Sequence, residues 1–491
     1  MTKRTNMNRR RFLAASAAVI STAFFPAPAL IAQNANEKLR VAIIGLGGRG
    51  GAHLDIIRGL ADLQIVGLCD PDANRLAKAR EKVPTAKVEA DMRKIFDDPN
   101  VDAVVIATCN HWHALSAIWA MEAGKDVYVE KPLARTFWEG RQIVNAAKKY
   151  HRVCQIGTQL RALPEAHAEV QKFLHEEKAL GEIRSVRINR FAARKPIGLR
   201  TEPLPIPPEV DYPLWLGPAL DEPLYRTQLH YDWHWMWNTG NGEAGNWGAH
   251  LLDDCRNDIL LDKVGLPTRF IGGGARVGYQ DAGESPNTQF TFFDTGSVPV
   301  IFGISNLPDA KDRRSAGPCH GPVSGYIVYC EGGRYEKTWH GGSTYEAIAF
   351  DNDNKPMRKF TGNNLSALME NFADAVRAAD ASKLLAPIET GAISAGWYHA
   401  ANIAFRVGHP YAKAEALAIA GTDGRLAETL GDMEKHLANQ GIDMAKSGFT
   451  MSGFLGVDPE TERFTGDNAD QANALFDLTY RSSFPIPAVN G

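Results

Sequence analysis

The sequence of 491 residues is short of cysteine, of net positive charge and of long hydrophobic runs. Its six cysteines show no C-x-x-C or comparable metal-binding spacing, so we expect no bound metal. The net charge of −3 argues against a nucleic-acid partner, because such binding needs a basic surface. No segment after residue 32 is apolar over the about 20 residues of a membrane-spanning helix, so we expect no stable membrane insertion.

The N-terminal 32 residues have the composition of an export signal rather than of a folded domain. Arg9, Arg10 and Arg11 precede an apolar run at residues 14–25, and this order is typical of a twin-arginine signal peptide. A membrane anchor is the alternative, but the run is short for one. We therefore predict removal of residues 1–32 and a periplasmic or otherwise extracytoplasmic location. The remaining chain has 49 Lys and Arg against 57 Asp and Glu, a net charge of −8.

A glycine-rich stretch with G-x-G-x-x-G spacing follows the apolar run at residues 41–44. In such a stretch Gly45 allows a tight turn, Gly47 lets the backbone approach a pyrophosphate, and Gly50 lets the next helix pack closely on the strand. The first amides of that helix would face the phosphates. A glycine turn without a ligand is the alternative interpretation.

An acidic residue follows the glycines at the distance that dinucleotide binding requires. Asp70 ends the next apolar run, 20 residues after Gly50, where a carboxylate meets the ribose 2′-hydroxyl. A carboxylate there repels a 2′-phosphate. We therefore predict that NAD is the cofactor and that NADP is disfavoured.

The pattern of predicted elements changes once along the chain. Residues 39–156 alternate between strand and helix patterns, which predicts a parallel, doubly wound sheet. Residues 157–491 contain strands without intervening helices, which predicts a second α/β domain with an open, largely antiparallel sheet. One face of such a sheet is free to meet a partner, so we expect a homo-oligomer.

Two motifs carry side chains suited to proton transfer. Lys131 lies between Glu130 and Pro132 after a predicted strand, where a lysine would point into the ligand crevice and polarise a hydroxyl or ketone oxygen. A solvated loop lysine is the alternative. His250 follows a glycine-rich turn and could take a hydroxyl proton, although a buried histidine at a helix start would look the same.

Two further motifs carry side chains suited to binding. Residues 108–113 follow a predicted strand over the cofactor, where Asn110 could bond the ribose or the carboxamide, while His113 could equally be a packed ring. Trp233, His234 and Trp235 form an aromatic run that could stack on sugar rings. A core cluster or a subunit contact is the alternative for that run.

Together these motifs resemble the glucose–fructose oxidoreductase and inositol dehydrogenase family, Gfo/Idh/MocA, and the twin-arginine signal resembles its exported branch. The resemblance implies a Rossmann domain followed by an α/β domain with an open sheet, and hydride transfer to or from sugars or polyols. It makes Lys131 and His250 the catalytic residues. The cofactor-binding residues that it implies are Gly45, Gly47, Gly48, Arg49, Gly50, Asp70, Thr108, Asn110, His113, Glu130 and Lys131. The substrate-binding residues that we expect are Trp233, His234, Trp235, Asn246 and Asp253.

The sequence departs from the family pattern at Asn246, where the family often has an aspartate four residues before the histidine. Asparagine can orient an imidazole but cannot stabilise its charged form, and such a change in a catalytic triad costs about 10⁴ in rate. Either Asp253, Asp254 or Glu243 replaces the missing carboxylate, or proton transfer depends mainly on Lys131.

The sequence is compatible with three functions. An exported enzyme cannot rely on cytoplasmic recycling of NADH, so we predict an oxidoreductase of carbohydrate-type substrates that keeps its cofactor tightly bound. The alternative is an NAD-dependent glycosidase or lyase that oxidises a sugar hydroxyl transiently. The third is a binding protein that holds NAD without catalysis. Cys319 and Cys330 could pair, and the sequence does not decide this.

Overall fold

The computed structural model describes residues 38–308, 321–420 and 424–490. The predicted export signal at residues 1–32 and Cys319 of the possible disulfide lie outside these ranges. The described residues from Lys38 onward belong to one compact unit, so both sheets are treated together. Within these ranges no helix combines the length and the apolar character that crossing a bilayer requires.

Residues 39–156 fold around a parallel sheet of six strands in the order β3-β2-β1-β4-β5-β6. The central strands β1 and β4 are apolar and almost completely buried, as expected for strands covered by helices on both faces. The strands are β1 (Leu39–Ile44), β2 (Leu63–Cys69), β3 (Lys87–Glu89), β4 (Ala103–Ile106), β5 (Asp126–Val129) and β6 (Cys154–Ile156). The connecting helices are α1 (Gly48–Arg58), α2 (Ala73–Lys82), α3 (Arg93–Phe96), α4 (Asn110–Glu122) and α5 (Phe137–Lys149).

The rest of the described chain folds around a mixed sheet whose main path runs β14-β13-β12-β11-β7-β10-β9-β8-β16-β15, with β17 and β18 attached at β8. Only the pair β7 and β10 is parallel among its described strands, so the predicted largely antiparallel sheet is confirmed. The strands are β7 (Ile183–Phe191), β8 (Phe270–Ala275), β9 (Thr288–Phe293), β10 (Val300–Ser305), β11 (Ser324–Cys330), β12 (Gly333–Thr338), β13 (Thr344–Asp351), β14 (Pro356–Asn363), β15 (His409–Pro410), β16 (Thr450–Met451), β17 (Leu455–Val457) and β18 (Phe464–Gly466).

Helices cover this sheet more completely on one half than on the other. They are α6 (Pro164–Gln171), α7 (Tyr212–Leu216), α8 (Ala249–Asp258), α9 (Ala367–Arg377), α10 (Ile388–Arg406), α11 (Lys413–Ala420), α12 (Gly424–Ala438) and α13 (Ala469–Ala474). Leu430 and Met433 of α12 join Phe290 and Phe292 of β9 in one apolar cluster, so β8 to β10 are buried on both faces. Strands β12 and β13 instead alternate between buried and partly exposed residues. The predicted homo-oligomer stays a prediction.

Candidate active site

A cavity of about 470 Å³ lies at the carboxyl ends of β1, β2, β4 and β5. This is where an open α/β sheet binds its ligands, and the volume lies in the range of about 300–1,000 Å³ that is usual for ligand pockets. Its wall includes the glycine-rich loop, the end of β2, Lys131 and the aromatic segment around Trp233. The structure therefore brings together motifs that lie up to about two hundred residues apart in the chain.

Two glycines of the glycine-rich loop have no room for a side chain. Gly45 has a positive φ of +86°, and a Cβ atom there would lie 2.6 Å from the Ala107 carbonyl oxygen. A Cβ atom on Gly50 would lie 1.8 Å from the Gly45 carbonyl oxygen. No described side chain caps α1, so its first amides face the cavity without an intrahelical acceptor. This cradle fits the pyrophosphate of a dinucleotide.

Asp70 is held at the end of β2 by two backbone amides. Its carboxylate oxygens accept hydrogen bonds from the amides of Leu46 at 2.7 Å and Asp72 at 2.9 Å. Burial raises the pKa of Asp70, and these hydrogen bonds oppose that rise. Each oxygen retains a second lone pair, so the carboxylate can accept ribose hydroxyls as the sequence predicted.

Glu130 ties the glycine-rich helix to the loop after β5. It accepts hydrogen bonds from Arg49 Nε and His53 Nε2, each at 2.8 Å. Burial alone would raise the pKa of Glu130, but the charge of Arg49 and the contact with His53 hold it well below its usual range. Glu130 is therefore an ionised residue that fixes Arg49 at the cavity wall.

Lys131 lies in the cavity wall beside Asn246, and its peptide bond to Pro132 is cis. Its Nζ donates to the Asn246 backbone oxygen at 2.7 Å and lies 3.5 Å from the Asn246 Oδ1. Burial lowers the pKa of Lys131 to about 8, while the nearby carboxylate of Glu130 opposes this effect. A lysine with a pKa near neutrality can exchange a proton with a substrate oxygen.

Only one of the three candidate acids contacts Asn246. The Asn246 Nδ2 donates to the Glu243 carboxylate at 3.4 Å. Asp253 instead accepts hydrogen bonds from Arg161 and Ser394, and Asp254 pairs with Lys337 at 2.5 Å. The geometry therefore favours Glu243 as the carboxylate nearest to the departure from the family pattern.

His250 is not among the residues that line the cavity, although, besides burial, the charge of Lys131 contributes to lowering its pKa. It is buried in α8, four residues after Asn246, with its ring centroid 4.3 Å from that of Trp339. Its Nδ1 has no hydrogen-bond partner among the described residues. Burial lowers the pKa of His250 well below its usual range, so its imidazole is neutral.

Residues 108–113 divide between the cavity wall and its support. Thr108 and Asn110 line the cavity, and Asn110 donates to Asn241 Oδ1 at 2.8 Å. The Asn110 Oδ1 is buried and has no partner within the described part of the chain. Both ring nitrogens of His113 contact backbone oxygens, those of Pro132 at 2.7 Å and Thr108 at 3.1 Å. His113 therefore supports the loop that carries Lys131.

The aromatic segment also divides in two. Trp233 and His234 line the cavity and stack on each other with ring centroids 3.7 Å apart, whereas Trp235 is buried outside the lining. Asp253 likewise lies outside it. Tyr231, two residues before Trp233 in the same aromatic segment, is exposed and also lines the cavity.

A strap formed by residues 207–217 closes the cavity beside β2. The Ala73 amide donates to the Glu209 oxygen at 3.0 Å, and the Asp211 amide donates to the Pro71 oxygen at 2.9 Å. Leu214 and Trp215 of the strap line the cavity together with Arg75. Arg75 lies against Gly47, and no sequence motif marks it as a site residue.

A buried group of potential metal ligands lies elsewhere, at His167, Asp254 and Asp258. The ammonium of Lys337 lies 2.5 Å from Asp254 and 3.6 Å from Asp258. Lys337 thus supplies the positive charge that these carboxylates require.

The parallel sheet, the glycine-rich cradle and Asp70 together define an NAD-binding domain of the Rossmann class. Residues 39–158 match the family model described as "Oxidoreductase family, NAD-binding Rossmann fold", and residues 197–277 match "Oxidoreductase family, C-terminal alpha/beta domain". Both are models of the Gfo/Idh/MocA oxidoreductase family, which the resemblance named.

The two relatives named here align with about a third of this chain. A levoglucosan dehydrogenase of Pseudarthrobacter phenanthrenivorans is 34% identical over 31% of this chain and 40% of its own length. An alpha-N-acetylgalactosaminidase of Shewanella oneidensis is 30% identical over 31% of this chain and 39% of its own length. This chain thus spans less than half of either relative. A solved levoglucosan dehydrogenase in complex with NADH has the same fold, with a TM-score of 0.56 at 18% identity over 74% of this chain and 96% of that one.

Proposed function

We propose that the protein is an exported, NAD-dependent oxidoreductase that acts on a sugar, a polyol or a sugar derivative. The observation that carries this proposal is Lys131, which lies in the cavity wall between the glycine-rich cradle and Asn246 with a pKa of about 8. Trp233 and His234 offer a stacked aromatic wall for a sugar ring. The relative named levoglucosan dehydrogenase supports this class of substrate.

The residues present fit NAD. The uncapped amides at the start of α1 would hold the pyrophosphate, Asp70 the ribose, and Thr108 and Asn110 the nicotinamide end. When bound, the nicotinamide supplies a hydride acceptor for a secondary alcohol.

Proton transfer rests on Lys131 in this proposal. Neutral Lys131 accepts the proton of the substrate hydroxyl at Nζ, and protonated Lys131 returns it when a ketone is reduced. The Asn246 oxygen orients Nζ. His250 contributes a neutral ring that packs on Trp339.

The second candidate function is that of an NAD-dependent glycosidase or lyase. The relative named alpha-N-acetylgalactosaminidase favours it. Oxidation of a ring hydroxyl to a ketone would acidify the adjacent C–H bond, so that a leaving group departs before the hydride returns. Such an enzyme needs no external acceptor, which suits an exported protein with a tightly bound cofactor.

The test is to purify the protein after export and to identify what is bound by mass spectrometry. The purified protein is then incubated with sugars, polyols and glycosides. Lasting NADH absorbance indicates the oxidoreductase, whereas a cleaved sugar without lasting NADH indicates the glycosidase. Lys131→Met should abolish either activity, and Lys195→Met is the control, because Lys195 is exposed. A Lys131→Met variant with unchanged conversion would contradict the role of Lys131, whereas an original protein that binds NAD but converts none of these compounds would support a binding protein.

A further inference from the structure

A buried charge cluster lies next to the proposed catalytic lysine. It consists of Arg190, Arg194 and Glu243, and the Glu243 side chain is fully buried. Arg190 Nε contacts the Glu243 carboxylate at 2.8 Å, and Arg194 contacts it through Nε at 2.8 Å and a second nitrogen at 3.0 Å. Burial alone would raise the pKa of Glu243, but the two arginines lower it, so the carboxylate is ionised.

The charge cluster has a net charge of +1. Two guanidinium groups share a single carboxylate, and no other acid of the described chain lies within ion-pair distance of Arg190 or Arg194. The adjacent Glu130 is already paired with Arg49 and His53. Protonated Lys131 adds a further positive charge. A partly buried positive excess is costly unless an anion compensates it.

Two contacts connect the charge cluster to the cavity. Asn246 links Glu243 to Lys131 on one side. On the other side Arg194 donates to the Tyr231 hydroxyl at 3.2 Å, and Tyr231 lines the cavity. The Arg194 side chain retains about 18% exposure. The positive excess therefore lies behind the part of the wall that Lys131, Tyr231 and His234 form.

We infer that the substrate is an anionic sugar, one that carries a carboxylate or a sulfate group, and that Arg194 and Tyr231 recognise this group. This inference rests on the proposed function, because it places a sugar beside Lys131. The Tyr231 hydroxyl can donate to the anion while it accepts from Arg194, and the guanidinium supplies the opposite charge. Charge-assisted hydrogen bonds of this kind are about twice as strong as neutral ones.

The test measures binding to the NAD-loaded, full-length exported protein by calorimetry. The probes are matched pairs in the gluco, galacto and manno series, each with a neutral methyl glycoside, its uronic acid and its 6-sulfate. At least one anionic sugar should bind about tenfold to a hundredfold more tightly than its neutral counterpart. Preference for the uronic acid or for the sulfate then identifies the anionic group.

Variants assign the preference to the charge cluster. Arg194→Gln should remove the advantage of the anionic sugar over its neutral counterpart, whereas Arg194→Lys should retain part of it. Lys195→Gln is the matched control, since it removes one positive charge from the next residue, whose side chain is exposed. Circular dichroism and the NAD content show that each variant is folded.

Three results would overturn the inference: equal binding across every pair, tighter binding of neutral sugars, or an unchanged preference in Arg194→Gln. These failures differ from a failure of the proposed function. In that case sugars of either kind would bind without any transfer of hydride to NAD or cleavage of a glycoside.

Discussion

Replacing Asn246 by aspartate should move the protonation of Lys131 and should affect the two directions of the reaction differently. The substitution changes one group, and the new carboxylate would lie near 3.5 Å from Lys131 Nζ. Two unit charges at that distance interact by about 5 kcal/mol at an effective dielectric constant of about 20. If solvent screening and repulsion from Glu243 remove half of this, the pKa of Lys131 rises from about 8 to roughly 10.

The consequence for the rate follows from which form of Lys131 reacts. Alcohol oxidation needs the neutral amine, whose fraction at pH 8 falls about fiftyfold when the pKa rises from about 8 to roughly 10. Ketone reduction needs the ammonium, whose fraction at pH 8 rises about twofold. In the original protein the oxidation rate should therefore rise with pH through about 8, and in Asn246→Asp this rise should move to roughly pH 10.

The assay is single-turnover hydride transfer in both directions on NAD-loaded and NADH-loaded protein between pH 6 and 11. Asn352→Asp is the control, because Asn352 is exposed in the turn between β13 and β14. Equal losses in both directions would indicate structural damage. An oxidation profile that does not move would refute the assignment of Lys131 as the base.

Three further predictions concern the cofactor cradle. Gly50→Ala should weaken NAD binding by at least about tenfold and lower the melting temperature, because its Cβ atom would overlap the Gly45 oxygen. Gly48→Ala should have little effect, because no described residue beyond its chain neighbours and the backbone of its own helix has an atom within 4 Å of its Cβ position. Titration with NAD and thermal denaturation compare the two variants. Glu130→Gln should destabilise the protein by about 3–5 kcal/mol near neutral pH, measured by urea denaturation. Because folding depresses the pKa of Glu130, its contribution to the free energy of unfolding is present above its ordinary pKa and is lost as the pH falls below about 4.5. The Glu130→Gln variant should therefore lose less stability on acidification than the original protein. Parallel curves of stability against pH would contradict this. Asp70→Asn should raise the ratio of NADP to NAD affinity by about tenfold in competitive titrations, because it removes the charge that repels a 2′-phosphate, and an unchanged ratio would refute that role.

The fold was predictable because its signals are local in the sequence. The apolar runs that become β1 and β4, and the helices between them, appear in the order that a parallel sheet requires. The cover of α12 on β8 to β10 was not predictable. Its apolar residues at 426, 430, 433 and 437 indicate a buried face, but the sequence does not say which surface that face meets.

The site was predictable at some positions and less so at others. Lys131, Asn246 and Trp233 line the cavity as expected, whereas His250 and Asp253 do not. The helix there begins with a π-helical turn, Ala244–Gly248, whose wider winding changes which face each later side chain occupies. The pairing of Glu243 with Arg194 was equally unpredictable. The two residues are 49 positions apart, and no recognisable motif follows strand β7, just after which Arg194 lies.

The strap couples the occupancy of the cavity to the integrity of the whole chain. Its residues follow the parallel-sheet domain in the sequence, yet Leu214 and Trp215 face the same cavity as Asp70 and Arg75 of that domain. A dinucleotide lying there would touch both parts of the chain at once and would bind only while they stay joined. Heating or denaturant should then melt the two parts in one step at saturating NAD, with a midpoint that climbs with the logarithm of the nucleotide concentration.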